Sequence, residues 1–342
     1  MEAAKLIHLF VEKATFNWKR VLAWLLPVLG IALLYLAFRN IPFDELKAEI
    51  RTVRPVWLVL LLIPSWGGQF LRTWRWRLLL KSPGKSLPFF SIYHALLMGY
   101  FVNLGLPRVG EISRCVALDR QGIAGFGKSL GTVVIERVVD MLFLILVLGL
   151  ALVMQWESLN EYFTLHVFEP TLKALEGQRN FLFILAAIGL LALISFLLYR
   201  KRLLAFLAKS TRGFSAKVQE GLLSLTTFSL SELVLFIALS MLIWLSYFLT
   251  TWFWFLALPS ASGAGMAVAF SVMVMGSIAK TLPIQGGGAG AYHLLIGKLL
   301  ILYGLGEVSS QTFALLNHGY QTIFYLLFGG FSAFYLAWKR RA

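Results

Sequence analysis

Two apolar stretches of the chain are interrupted by residues that could bind an anion. Residues 103–111 form the first break and read NLGLPRVGE, and residues 280–293 form the second break and read KTLPIQGGGAGAYH. Glycine-rich turns and helix N-termini present backbone N–H groups to anions, and arginine adds donors that match a phosphate. The residue types therefore predict an anion site at the breaks.

Several positions in and beside the breaks are candidate ligand-binding residues: Asn103, Pro107, Arg108, Gly110, Glu111, Arg114, Lys280, Pro283, Gln285, Gly287, Gly288, Gly290 and His293. Pro107 is expected to open a new helix, because its missing N–H is not needed at the first helical position. The alternative is that proline and glycine only kink a packed helix, with the arginines at headgroup level. A single histidine is more often structural than a ligand, which lowers the weight of His293, His94 and His318 alike.

Three further candidates, Glu136, Arg137 and Asp140, lie at the start of another apolar run. Arg137 and Asp140 are three residues apart and are expected to pair on one helix face. Glu136 then needs another cation, which Arg108, Arg114 or Lys280 could supply. Ionisable groups at membrane depth are costly and indicate function. A structural ion-pair network is the alternative, and the two interpretations are compatible.

The elements that position these residues must be membrane helices. The chain is 59% hydrophobic and 14% charged, whereas about a quarter of an average soluble domain is charged. This predicts an all-α polytopic membrane protein that forms one integral membrane domain over residues 1–342. The net charge of +15 is concentrated in short loops, which is an orientation signal and suits contact with anionic headgroups. We therefore expect no nucleic-acid partner.

The loop charges also predict how often the chain crosses the membrane. Basic segments after residues 71 and 199 and at the C-terminus indicate the cytoplasm, and the acidic loop over residues 156–180 indicates the outside. Counting crossings between these loops gives about six full crossings plus two re-entrant hairpins, one at each break. Residues 56–154 and 230–338 then form an inverted repeat, with both termini cytoplasmic. The alternative is that one interrupted run is a short spanning helix.

Two flanking segments, residues 1–19 and 201–227, mix apolar and basic residues and are predicted to be interfacial amphipathic helices, with ordinary loops as the alternative. The pattern GIAGFGKS at residues 122–129 fits a P-loop, but a membrane helix follows it, so we reject nucleotide binding. Cys115 is the only cysteine, which excludes an internal disulfide and a cysteine-based zinc site. We expect no cofactor and no metal.

The chain resembles a known family, the lysylphosphatidylglycerol synthase transmembrane region, also called flippase-like integral membrane proteins. The likeness covers nearly the whole chain and rests on Asn103, Pro107, Gly110, Glu111 and Arg114, on Glu136, Arg137 and Asp140, on the Arg-Trp-Arg at residues 75–77, and on Leu282-Pro283-Ile284 with the glycines at positions 287, 288 and 290. The resemblance implies a membrane domain that moves or handles phospholipids or polyprenyl-phosphate lipids. No soluble aminoacyl-transferase domain is visible, so we expect that the chain does not synthesise aminoacylated lipid by itself.

The resulting expectation is a flippase-like transporter of the bacterial cytoplasmic membrane. An anionic or phosphate-bearing lipid headgroup would pass between the two hairpin tips, held by Arg108, Arg114, Arg137 and Lys280, with Glu136 and Asp140 as possible proton carriers. One alternative is a membrane enzyme that acts on a lipid phosphate, with Glu111 or Glu136 as base. Another is a non-catalytic accessory subunit. The sequence predicts no oligomeric state.

Overall fold

The computed structural model describes residues 18–81, 87–154, 228–282 and 284–339, and within these ranges the regular elements are all helical. The α-helices are α1 (Trp18–Phe38), α2 (Phe43–Arg51), α3 (Pro55–Leu60), α4 (Leu62–Leu80), α5 (Phe89–Gly105), α6 (Val109–Arg120), α7 (Phe126–Met154), α8 (Leu230–Ala257), α9 (Met266–Thr281), α10 (Gln285–Gly288), α11 (Ala291–Leu302), α12 (Glu307–Phe324) and α13 (Gly330–Lys339). A 3₁₀ turn (Pro259–Ala261) precedes α9, and a π-helical segment (Tyr325–Gly329) joins α12 to α13. The prediction of an all-α protein is confirmed.

Apolar composition accounts for five helical stretches among the described residues. Among the described residues, α8 is long and apolar enough to cross a membrane, with a hydropathy of 2.3. Shorter apolar helical stretches occupy Val28–Phe38, Phe89–Gly105, Met266–Thr281 and Gly286–Leu302. Residues 181–199, which form another apolar run of the sequence, and the predicted interfacial segments lie outside the described residues, apart from Trp18 and Lys19 at the start of α1.

The predicted boundary at residue 71 was wrong. An apolar run was expected to end there and to give way to a cytoplasmic basic loop, but α4 continues to Leu80. Arg72 and Arg75 are buried within this helix. Their burial is tolerated because carboxylates on a neighbouring helix pair with them.

The described helices form two groups with the same order of elements: one helix, a pair of helices joined at a break, and a further helix. The first group is α4, the pair α5 and α6, and α7. The second is α8, the pair α9 and α11, and α12 with α13. The groups meet where α4 packs along α8 and where α13 packs along α5. The apolar core has one cluster around Trp76 and Cys115 in the first group and another around Phe255 and Phe313 in the second.

Candidate functional site

The two breaks lie against each other, although about 180 residues separate them. The guanidinium of Arg108 donates from Nη2 to the carbonyl oxygen of Thr281 over 3.5 Å. A Cβ built on Gly287 would lie 3.9 Å from Cδ2 of Leu104. We call this meeting place the tip junction, defined by Leu104, Arg108, Lys280, Thr281 and Gly287.

At the first break α5 ends and α6 begins, and these two helices pack very closely against each other. A Cβ on Gly110 would lie 1.8 Å from the carbonyl oxygen of Gly99, so only glycine lets α5 and α6 approach this closely. The N–H of Gly110 donates to Oδ1 of Asn103 over 2.8 Å. Asn103 therefore occupies one N–H group in the first turn of α6, and this N–H is not available to an anion.

The expectation that Pro107 opens the new helix was wrong. The helix begins at Val109, and Arg108 precedes it with a φ of 67°. Arg108 is the only described non-glycine residue with a positive φ. Such a conformation costs about 1–3 kcal/mol and occurs mostly where the surroundings or the function require it.

A buried cluster of charges joins three helices behind the first break. We call it the arginine–carboxylate cluster; it consists of Arg72 and Arg75 on α4, Arg114 on α6, and Glu136 and Asp140 on α7. Nη2 of Arg114 lies 2.6 Å from Oε2 of Glu136, and Nη2 of Arg75 lies 2.8 Å from Oδ1 of Asp140. Nη1 of Arg72 lies 3.4 Å from Oδ2 of Asp140. Three arginines thus share two carboxylates.

Aromatic and hydroxyl groups complete the surroundings of the cluster. The guanidinium of Arg114 lies 4.3 Å from the ring centroid of Trp76, an arrangement that stabilises a desolvated cation. Arg75 donates to Oγ of Ser240 over 3.2 Å, and Nε of Arg72 donates to the hydroxyl of Tyr247. These contacts tie α4 to α8 and supply partners that a buried cation needs.

The cluster corrects one predicted pair and confirms another. Asp140 pairs with Arg72 and Arg75 rather than with Arg137. Arg137 turns towards the first break, where its Nη2 lies 2.6 Å from Oε1 of Glu111. The cation expected for Glu136 is Arg114, one of the three named from the sequence.

The backbone of the second break adopts conformations that favour glycine. Gly286 and Gly287 both have a φ of 68° inside the short α10, the left-handed region that side chains rarely adopt. Gly288 and Gly290 have φ values of 90° and 84°. Pro283 lies outside the described residues, and for Gln285 the structure describes the backbone alone, so no contact of either side chain supports their predicted role.

Lys280 lies in the last turn of α9, beside this glycine segment, and is solvent-accessible. Its Nζ donates to Oε1 of Gln321 over 2.5 Å and lies 4.9 Å from the ring centroid of Tyr292. Tyr292 in turn accepts a hydrogen bond from Nδ2 of Asn317 over 2.8 Å. Among the described residues, the Lys280 ammonium therefore contacts only uncharged groups.

His293 and His318 form a buried pair at the second break, with ring centroids 5.0 Å apart. Nε2 of His318 lies 3.3 Å from the carbonyl oxygen of Gly287, and Nδ1 of His293 accepts from the N–H of Gly290 over 3.3 Å. Nε2 of His293 is buried without a hydrogen-bond partner among the described residues. An orphan buried polar atom of this kind calls for an explanation such as a bound water or ligand.

The family model of the lysylphosphatidylglycerol synthase TM region matches residues 22–329 of the chain. The chain belongs to this family. Among curated proteins and among solved structures, none matches the chain. Membership of the lysylphosphatidylglycerol synthase TM region family makes the chain a helical membrane protein related to lipid metabolism or transport.

In this member of the lysylphosphatidylglycerol synthase TM region family, sequence reasoning missed several residues of the site. Arg72 and Arg75 were interpreted as loop charges, although their spacing of three residues places both on one helix face. His318 was set aside as structural, and Tyr247, Asn317 and Gln321 were not considered. The last three carry no sequence signal beyond being polar groups in apolar runs.

Proposed function

We propose that the chain is a flippase-like transporter of the bacterial cytoplasmic membrane. It moves a phospholipid or polyprenyl-phosphate-type lipid, and the headgroup passes along the tip junction while the acyl chains stay in the bilayer. The headgroup is the part that needs shelter, because transferring a charged group into hydrocarbon costs far more than transferring an apolar one.

The observation that carries the proposal is the pair of unneutralised cations at the tip junction. Arg108 and Lys280 are both exposed, and neither pairs with a carboxylate of the described residues. Unpaired charge in a membrane domain is expensive. A phosphate-bearing headgroup would supply the missing negative charge, and the arginine fork suits its geometry.

The other charged candidates stabilise the surroundings of the tip junction rather than bind the headgroup. Arg114 and Arg137 each lie 2.6 Å from a carboxylate oxygen, so their charge is less available to a headgroup than that of Arg108 and Lys280. Glu136 and Asp140 are likewise paired with arginines, which disfavours a role as proton carriers. Transport is then passive, or it is coupled to an ion that does not pass through the arginine–carboxylate cluster.

The proposed architecture follows from the loop charges and the order of helices. Each group of helices contains a pair joined at a break, and the two breaks meet. Six full crossings with two hairpins entering from opposite faces, as an inverted repeat, place both breaks in one hydrated chamber. Broken backbone is tolerated at membrane depth only in such surroundings, and paired broken segments are the usual mark of a transport site.

A reconstituted flipping assay tests the proposal. Proteoliposomes containing fluorescent phosphatidylglycerol should show protein-dependent movement between leaflets. Lys280→Gln should slow it about tenfold or more, since a hydrogen bond to a charged group contributes about 1.5–3 kcal/mol. Lys280→Arg should retain most of the rate. Arg77→Gln is the matched control, because Arg77 is also exposed but belongs to α4. Equal rates for Lys280→Gln and Arg77→Gln would refute this site.

The same preparation separates the alternatives. A membrane enzyme would convert a labelled lipid phosphate into a chemically new product. The carboxylates considered as its base, Glu111 and Glu136, are already paired with arginines, and this favours transport. An accessory subunit would show neither turnover nor movement of lipid by the purified protein.

A further inference from the structure

A small cavity lies where α5, α6 and α7 meet, beside the first break. It encloses about 10 Å³, which is the space that about one water molecule requires. Each of the three helices contributes polar residues to its wall: Tyr100 and Asn103 from α5, Glu111 and Arg114 from α6, and Arg137 from α7. A water molecule or a monatomic ion therefore fits this cavity, whereas a lipid phosphate does not.

The cavity is rich in hydrogen-bond donors, which favours a negatively charged ligand. Nε of Arg114 is buried without a hydrogen-bond partner among the described residues. A Cβ built on Gly99, which also lines the cavity, would lie 3.5 Å from Cδ of Arg114, the carbon bonded to Nε. Because Oδ1 of Asn103 accepts from the N–H of Gly110, the amide nitrogen of Asn103 is left as a donor. The hydroxyl of Tyr100 can donate as well, and it lies near enough to Arg114 to interact electrostatically with the guanidinium.

The charges around the cavity do not balance. Among the described residues, the ion pairs join four arginines to only three carboxylates: Arg72, Arg75, Arg114 and Arg137 to Glu111, Glu136 and Asp140. One positive charge therefore remains without a counter-charge in that part of the chain, and leaving a buried charge unbalanced is costly. A water molecule would satisfy the donors but not the charge, whereas a monatomic anion satisfies both.

We infer that the cavity binds one chloride ion, held by Nε of Arg114, the amide group of Asn103 and the hydroxyl of Tyr100. The carboxylate of Glu111 does not oppose this, because Nη2 of Arg137 lies 2.6 Å from its Oε1 and neutralises it. The ion balances the charge of the arginine–carboxylate cluster and holds the two helices of the first break against α7. The inference goes beyond lipid transport, because it requires neither the tip junction nor a lipid.

A titration with chloride tests the inference. The full chain is purified in detergent with sodium gluconate, whose anion is too large for the cavity, and chloride then replaces gluconate at constant ionic strength. We expect the thermal unfolding midpoint to rise with the chloride concentration, because a ligand that binds only the folded state stabilises it by mass action. Bromide should act in the same way, and the larger isethionate should not. Equilibrium dialysis with radiolabelled chloride should show one bound ion per chain. An unchanged midpoint without bound chloride would overturn the inference and leave the cavity to water.

A variant that removes one donor without changing the charge locates the bound ion. Tyr100→Phe should weaken chloride binding about tenfold or more, the factor expected when a hydrogen bond to a charged group is lost. Tyr303→Phe is the matched control, because Tyr303 is also half-buried but does not line the cavity, and it should leave the affinity unchanged. Equal chloride affinities of the two variants would overturn the inference.

A second variant puts a permanent negative charge in the place of the ion. In Asn103→Asp the carboxylate still accepts from the N–H of Gly110 and supplies the counter-charge, so the unfolding midpoint should no longer respond to chloride. Gln121→Glu adds the same charge at the C-terminal end of α6 and should keep the full response. A full response in Asn103→Asp would show that chloride acts elsewhere and would overturn the inference. If Asn103→Asp fails to fold, the comparison of Tyr100→Phe with Tyr303→Phe still decides.

A lipid phosphate is the other anion that the donors could attract, and phosphatidylglycerol added to the chloride-free protein tests it. A rise of the midpoint with this lipid, together with no chloride binding, would overturn the inference. The two proposals fail separately. Chloride binding without lipid movement would refute the transporter alone, and lipid movement without chloride binding would refute the chloride site alone.

Discussion

Arg75 on α4 and Asp140 on α7 form an ion pair of 2.8 Å, and the Arg75 side chain is fully buried. The pair also brings Glu136 within 3.7 Å of the same guanidinium. Burying charges is expensive unless each has partners, so this contact fixes how α4 and α7 are arranged behind the first break. The pair thereby helps to position the helices next to the tip junction.

Removal of the Arg75 charge should destabilise the fold strongly. Arg75→Gln leaves Asp140 and Glu136 short of a buried cation, which costs about 3–5 kcal/mol. We expect a marked fall in the thermal unfolding midpoint of the detergent-solubilised protein. Arg77→Gln, two residues further on and exposed, is the control and should change the midpoint little. Similar midpoints for the two variants would show that the cluster does not hold the helices.

The Glu111–Arg137 pair should contribute much less. Its side chains are 24% and 45% exposed, so solvent screens the interaction and about 0–1 kcal/mol is expected. A double-mutant cycle with Glu111→Gln and Arg137→Gln measures the coupling. A coupling energy of about 3 kcal/mol or more, the range of a buried ion pair, would contradict this assignment and indicate a functional role for Glu111 and Arg137.

Much of the helical framework could be predicted from the sequence, and the charged cluster could not. Long apolar runs located α1, α5 and α8 because hydrophobic length is a local property. The prediction of where α4 ends was wrong, because a run of arginines without acidic residues is typical of a cytoplasmic loop. Only the three-dimensional arrangement shows that Arg72 and Arg75 meet carboxylates more than 60 residues away.

The two breaks show the same difference between local features, which the sequence predicts, and contacts between helices, which it does not. The sequence predicted that residues 103–111 and 280–293 interrupt helices, since proline, glycine and charge within apolar runs have local consequences. It did not predict that Asn103 accepts a hydrogen bond from Gly110 or that Arg137 pairs with Glu111. Both contacts depend on how closely α5, α6 and α7 pack against one another. The periodicity of a single sequence does not show which side chains meet where two helices pack.

The close approach of α5 and α6 should depend on Gly110. Gly110→Ala would place a methyl group within 1.8 Å of the Gly99 carbonyl oxygen, so the hairpin must open, and we expect a cost of about 1–3 kcal/mol or more. Gly105→Ala is the matched control, because a Cβ there meets nothing within 4 Å. Unfolding midpoints in detergent compare them. Equal stability of the two variants would show that the hairpin tolerates separation.

Arg108 separates function from stability. Arg108→Asn keeps a residue type that tolerates positive φ and removes the charge, so the unfolding midpoint should change little. The flipping rate should fall about tenfold, because the loss of a charge-assisted contact with a phosphate costs about 1.5–3 kcal/mol. Arg108→Lys should recover part of the rate. A normal flipping rate in Arg108→Asn would mean that the strained conformation serves the fold alone.

The two-hairpin topology can be tested by cysteine accessibility, because the single natural cysteine, Cys115, is buried and can be replaced by alanine. Single cysteines at Lys81, Arg120 and Gly263, all exposed, would report the side of the membrane through a membrane-impermeant thiol reagent applied to intact cells. If α5 and α6 form a hairpin that enters from the cytoplasm, positions 81 and 120 are both protected and position 263 is labelled. If α5 instead crosses the membrane completely, position 120 is labelled while position 81 is not. That result would place the two breaks in different surroundings and remove the shared chamber on which the transport proposal depends.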